Sequence, residues 1–470
     1  MKDPVSFPLS FPSWTLLAIQ AAVLVSVTVN STVTDVICVG MTICALRGPA
    51  WALSSLSLLV VIRYFNPALV HNGTISSSLS WAFPLIVSIR VLPLMRIVDL
   101  RLVGPLWLFC IVAIVCSIIA SPALAVSVMK AVSLAVIAAA VLVASLRLTS
   151  RETAALGDWL CALALVVAAL SLASLARPGV AYFPGTNLLR GVLNQSQALG
   201  TFLAPFTAAY LTAWLCRSKA VDRHVYLTLA LIGTCMLLTF SRTAAIASVL
   251  GTGFSLLGGR ASSARVTRSK NQRVAILVLS LVCLFGVLEF AGSKFSGSVS
   301  GFVLKRGGQD IGTAFAASRG NGMLSQLTNF ASSPLVGHGF GVYANGYFPS
   351  GVVTVAGIPV SAPVEKGVVP TAVLEETGLL GFSSFAYLVF SLTRTVWRRA
   401  PRTIVAILFS CLFVNLGEAV LLSPGGMGLF VWLLIGWCLR HGAQDLVLAT
   451  TQAANVPVSN RKRYYANLLD

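Results

Sequence analysis

The chain has 470 residues, of which 57% are hydrophobic and only 10% charged, with a mean hydropathy of +0.87. Soluble domains carry about 25% charged residues, so this composition excludes a soluble globular, disordered, collagenous or disulfide-built chain. It reads as an all-α polytopic membrane protein, and the net charge of +19 follows from basic cytoplasmic loops rather than from nucleic-acid binding.

A helix needs about 20 apolar residues to cross the hydrocarbon core. The apolar runs predict spans near 13–30, 32–46, 50–64, 79–95, 103–120, 124–146, 157–176, 195–216, 225–240, 243–257, 274–291, 371–393, 403–421 and 425–440. That makes fourteen crossings, or twelve if short runs among the second, ninth and tenth are half-spans. Lys2 and Asp3 precede three prolines, and no small-residue cleavage site closes the first run, so no cleavable signal peptide is expected.

With the N-terminus in the cytoplasm, the inside segments hold 22 basic residues and the outside segments nine. Those nine are Arg63, Arg177, Arg190, Arg242, Lys294, Lys305, Arg306, Arg319 and Lys366, while Arg90 and Lys130 lie within spans. The positive-inside bias places both termini in the cytoplasm. The chain then divides into eleven transmembrane helices with short loops (1–291) and a large extracytoplasmic loop (292–370). C-terminal transmembrane helices (371–440) and a cytoplasmic tail (441–470) follow. The long loop has aromatic and aliphatic clusters, and its segment 319–331 has the spacing of a short amphipathic helix. The ten cysteines all sit in apolar runs without a CxxC pair, and the four histidines are scattered. No metal and no cofactor are expected.

Charged groups on the outside are few enough to weigh singly. Arg190 ends a short outer loop that begins at Arg177, and Asn194-Gln195-Ser196-Gln197 then opens a span. Those polar groups serve either as a helix cap or as partners of a sugar hydroxyl or phosphate. Arg242 follows Thr239-Phe240-Ser241 at a tight outer corner. An Arg there is either snorkelling or holding a phosphate with its planar fork. In the long loop, Arg319 starts the amphipathic segment, and Pro334-Leu335-Val336-Gly337-His338-Gly339-Phe340-Gly341 forms a glycine-rich turn. His338 is the loop's one histidine, open to a general-base or a structural role. Glu365 and Lys366 adjoin each other before the loop ends, Glu375-Glu376 opens the next span, and Glu418 lies in an apolar run. Ionisable groups within a membrane are functional candidates by default.

Several of these pieces, in this order, resemble the O-antigen ligase and polymerase family of bacterial membrane glycosyltransferases. They are Gly191-Val192-Leu193-Asn194 before a span, Thr239-Phe240-Ser241-Arg242 at an outer corner, Ser318-Arg319 and the Pro334–Gly341 turn in a large outer loop, and Leu374-Glu375-Glu376-Thr377-Gly378-Leu379-Leu380-Gly381 in the following span. The likeness covers roughly residues 185–390. It implies a multi-helix glycosyltransferase fold of the C type, acting on the outer face of the bacterial cytoplasmic (inner) membrane. The donor it implies is a saccharide on undecaprenyl diphosphate, used without nucleotide sugar and usually without metal. By the same resemblance, Arg242 and Arg319 contact the diphosphate. One departure stands out: family members, ligases above all, often show a His-Asn pair before the glutamate segment, whereas here the stretch reads Pro363-Val364-Glu365-Lys366-Gly367-Val368-Val369-Pro370. A polymerase, or a relative acting on another acceptor, therefore fits better than a lipid A-core ligase.

The expected chemistry is glycosyl transfer with a lipid diphosphate leaving group, whose developing charge fixed cations stabilise. Arg242, Arg319 and Arg190 are the candidate diphosphate ligands, and Asn194 and Lys366 the candidate acceptor or sugar ligands. A carboxylate takes the acceptor proton, with Glu365 the first candidate, Glu375 the second and His338 a third. Expected partners are the lipid-linked donor, a saccharide or lipid acceptor, and a chain-length regulator protein. The alternatives are a flippase or exporter of lipid-linked saccharides, which favours repeats and broken helices, and a peptidoglycan polymerase with a similar outer loop.

Overall fold

The computed structural model describes residues 12–70, 74–216, 223–258, 320–344, 354–355, 358–359, 366–397 and 399–443. Its first six long helices are α1 (Trp14–Ser26), α2 (Ser31–Ala45), α3 (Pro49–Arg63), α4 (Thr74–Val91), α5 (Leu100–Ala120) and α6 (Leu124–Leu146). They are followed by α7 (Ser150–Ala173), the single turn α8 (Pro178–Ala181), α9 (Ser196–Cys216), α10 (Arg223–Leu238) and α11 (Arg242–Leu257). The last four are α12 (Asn321–Ser332), α13 (Val369–Trp397), α14 (Arg402–Val414) and α15 (Met427–Gly442). A two-residue antiparallel pairing, Thr354–Val355 with Ile358–Pro359, is the one named sheet among the described residues.

This is an all-α membrane protein. Among the described residues five helices are long and apolar enough to cross a membrane: α5, α6, α7 with its 3-10 extension, α9 and α13. Eight more apolar helices are shorter, at 1.5 Å per residue about 20–25 Å long. Helices thus occupy thirteen of the fourteen segments read as spans. The fourteenth, 274–291, lies outside the described residues, as do 259–273, most of the 292–370 loop and the tail from 444. α14 ends at Val414, earlier than the apolar run suggests, so Glu418 sits in the turn beyond it.

The bundle closes through small residues, as membrane helices do when no hydrophobic force separates helix from lipid. Gly251 of α11 lies against the backbone of Ala406 and Ser410 on α14, an approach that any side chain would block. Ser248 and Thr252 of α11 donate to the carbonyls of Ala204 (3.0 Å) and Ala208 (3.1 Å) on α9, and the Thr212 and Ser255 hydroxyls lie 2.9 Å apart. Phe202 stacks on Phe430 with ring centroids 4.6 Å apart. At one end of the bundle, Arg147 pairs with Asp99, Arg440 donates from Nε to the Leu148 carbonyl at 2.7 Å, and Thr149 and Glu152 form a capping box at the start of α7.

The opposite end gathers the candidate residues that are described. Asn66, just beyond α3, donates from Nδ2 to the carbonyls of Val180 (2.9 Å) and Gly191 (3.0 Å). The Leu189 N–H donates to the Leu238 carbonyl at the end of α10. Gly417 meets Thr243 at the start of α11, and the Val369 N–H donates to the Asn415 carbonyl. These bonds and the Gly417–Thr243 approach bring the loops around Arg190, Arg242, Asn415 and Lys366 together as one rim.

Candidate functional site

Helix α13 is broken, and the break builds the site. Gly378 has φ 60° and ψ −163°, a left-handed value that glycine adopts without steric cost. In an unbroken helix the N–H groups of Leu379 and Leu380 would bond the carbonyls of Glu375 and Glu376. Here they donate instead to Pro334 (2.9 Å) and Leu335 (3.3 Å), while those two carbonyls accept from His338 (3.0 Å) and Gly339 (2.8 Å). The glycine-rich turn is thus spliced into the helix by four exchanged backbone bonds, which give the Leu379 and Leu380 amides and the Glu375 and Glu376 carbonyls new partners. Gly337 packs on the Glu376–Thr377 peptide, where a Cβ would overlap the backbone. Phe340 is fully buried beneath the turn, edge-on to Phe109, and its N–H donates to Ser117 at 3.0 Å.

The splice turns two carboxylates inward. Glu375 and Glu376 are buried, and Lys366 Nζ lies 3.0 Å from Glu375 Oε2 and 3.5 Å from Glu376 Oε1, with each side chain only 3% exposed. Asn329 Nδ2 donates to Glu375 Oε1 at 2.8 Å, and the Gly341 N–H donates to Glu376 Oε2 at 2.8 Å. The 3.0 Å contact is a charge pair without hydrogen-bond alignment, and among the described residues neither Lys366 Nζ nor Glu375 Oε2 has a hydrogen-bond partner. The Lys366 ammonium also lies 5.6 Å over the Tyr343 ring. Lys130 of α6 passes along Gly341, with its ammonium 5.1 Å over the Phe340 ring. Two lysines and two glutamates therefore meet at the break.

The described residues bring some sequence candidates together and leave others apart. Lys366, Glu375 and His338 share the cluster, Lys366 and Glu375 through their side chains. His338 enters by its backbone, and its ring Nε2 lies 2.9 Å from the Asn329 carbonyl and 3.0 Å from Ser332 Oγ. Contact with a carbonyl puts the proton on Nε2 and leaves the lone pair of the neutral ring on Nδ1. Arg190 is buried at the rim, its Nε donating to the Val180 carbonyl at 3.1 Å; desolvation holds its pKa below the usual arginine value. The Asn194 N–H donates to the Tyr64 carbonyl at 2.7 Å, and its buried Oδ1 has no hydrogen-bond partner among the described residues. Arg242 is the first residue of α11, held at a corner where Phe240 takes φ 51°. That left-handed conformation costs a bulky residue about 1–2 kcal/mol and fixes the direction in which the corner presents Arg242. Arg319 and Glu365 lie outside the described residues.

Four participants were not singled out from the sequence: Asn66, Lys130, Gln326 and Asn329. Lys130 had a signal, an ammonium within an apolar run. Asn66 precedes Pro67, which marks a turn but not its partner. Gln326 and Asn329 look like ordinary polar positions of an amphipathic helix. No family model matches the chain, and no curated protein matches it.

Proposed function

We propose that the protein is a membrane glycosyltransferase that polymerises, or less favourably ligates to a lipid A core, saccharide units carried on undecaprenyl diphosphate in surface polysaccharide synthesis. The observation that carries this reading is the buried Lys366–Glu375–Glu376 cluster at the same bundle end as Arg190, Arg242 and Asn194. Carboxylates held out of bulk water are suited to proton transfer. Guanidinium groups at the rim are suited to a departing diphosphate. In this reading Arg242, Arg190 and Arg319 hold the diphosphate, Asn194 and Lys366 contact sugar or acceptor, and the base is Glu365 or Glu375, with His338 acting through Nδ1 as the third candidate. The site faces the outside of a bacterial cytoplasmic membrane, both termini lie in the cytoplasm, and a chain-length regulator is a fitting partner.

A broken helix such as α13 is also a feature of the alternative, an exporter of lipid-linked saccharides. Transporters leave carbonyls free at such breaks to hold ions or substrate. Here the Glu375 and Glu376 carbonyls accept from the chain's own turn, which favours a fixed site over a gate. Deleting the gene and resolving surface polysaccharides by electrophoresis tests the choice. A polymerase predicts single repeat units still delivered to the cell surface. Loss of all surface saccharide, with lipid-linked saccharide retained inside the cell, would indicate export.

A further inference from the structure

Helix α12 turns unexpected groups toward the protein. Successive helical residues are about 100° apart, which sorts its side chains into three arcs. The inward arc holds Gln326 and Asn329. Gln326 Nε2 donates to the Lys366 carbonyl at 2.7 Å, Thr371 donates to Gln326 Oε1, and Asn329 reaches Glu375. A second arc is apolar: Phe330 and Met323 at its half-buried edge, then Leu327, Ala331 and Leu324. Leu327 is 44% exposed and Leu324 67%. The third arc, with Asn321, Ser325, Thr328 and Ser332, is polar and exposed. An amphipathic helix on a water-bathed body buries its apolar face. This one buries its amides and leaves its leucines uncovered.

The covering medium is indicated by what the leucines adjoin. The turn after α12 carries Leu335, 63% exposed, whose carbonyl accepts from Leu380 of α13. Leu379, Leu380, Tyr387 and Phe390 are likewise exposed along α13, a helix long and apolar enough to cross a membrane. Leu335 therefore continues the outward apolar stripe of a spanning helix, and α12, which ends three residues before it and reaches α13 through Asn329, carries its apolar arc at the same end of that helix. Protein, hydrocarbon and water then each meet one third of the helix.

We propose that α12 is an interfacial helix lying at the bilayer surface, with Leu324, Leu327 and Leu335 in the hydrocarbon of the surrounding lipid and Ser325 and Thr328 in water. The arrangement is that of a monotopic amphipathic segment, anchored on its third side by Gln326 and Asn329. It places the Lys366–Glu375 pair directly behind a lipid-bathed wall, and it holds whether or not the protein transfers sugars.

The test uses the full chain in lipid vesicles, with single cysteines at position 327, 335 or 325 in a cysteine-free background, each carrying a nitroxide. Leu327→Cys and Leu335→Cys labels should relax faster with oxygen, which concentrates in hydrocarbon, than with a water-soluble nickel chelate. The Ser325→Cys label should show the reverse. Chelate dominance at 327 and 335 would put α12 in water and overturn the proposal. Shielding of both from both reagents would do the same, showing a protein cover. Should the cysteine-free background not fold, Leu327→Trp in vesicles of brominated lipid replaces it. Quenching beyond that of the unsubstituted protein is expected, and no added quenching overturns the proposal.

Discussion

At the scale of single residues, the charge pair at the break decides most. Two carboxylates and one ammonium are buried within 3.0–3.5 Å, and removing one partner of such a pair strands the others out of water. Lys366→Met should therefore lower stability by about 3–5 kcal/mol, read as an earlier thermal unfolding transition in detergent. Combining it with Glu375→Gln and Glu376→Gln should recover part of that loss, because no uncompensated charge remains. If the single variant unfolds like the native protein, the cluster contributes no stability through its charges. At the rim, Arg242→Ala and Arg190→Ala should each abolish polymer formation at near-normal protein level. Arg242→Lys should rescue only partly, since an ammonium lacks the bidentate fork. Full activity in Arg242→Ala would make snorkelling the better account. Glu375, Lys366 and Arg190 stood out in the sequence because charges are rare there. Their partners did not, since Asn329 and Gln326 gain meaning only when α12 folds back onto α13.

At the scale of elements, the junction between the glycine turn and α13 tolerates no side chain. Gly378 combines positive φ with contact to the Leu335 backbone, so Gly378→Ala should cost at least about 1–3 kcal/mol and open the 334–341 turn to limited proteolysis. Gly322 of α12 has open space around it, and Gly322→Ala should leave both readouts unchanged. Equal protease resistance in the two variants would show that the turn does not depend on the break. Helices were legible from apolar runs throughout, and the amphipathic segment read at 319–331 is the observed Asn321–Ser332 helix. The break was not legible. Gly378 stands in an apolar run like any small membrane residue, and its dihedrals follow from a turn about forty residues earlier, a long-range pairing that periodicity does not encode.

At the scale of the whole molecule, charge bias and bundle geometry agree on which residues share an end. Ser150, at the start of α7, and Ser325 of α12 lie at opposite ends of the bundle. Cysteines introduced there should react with an impermeant probe from opposite sides of sealed vesicles, and labelling of both from one side would refute the topology. The sequence conveyed the membrane class and helix order because burial in lipid is a property of composition. The proposed function rests on a resemblance of short motifs, of which the described ones, around Asn194, Arg242, His338 and Glu375, lie at one end of the bundle. Glycosyl transfer is measured with purified protein in proteoliposomes supplied with undecaprenyl-diphosphate-linked saccharide. A polymerase should yield longer saccharides on the lipid carrier, with one undecaprenyl diphosphate released per bond formed and no product from the Arg242→Ala variant. Movement of intact lipid-linked saccharide between leaflets without any new glycosidic bond would contradict glycosyl transfer.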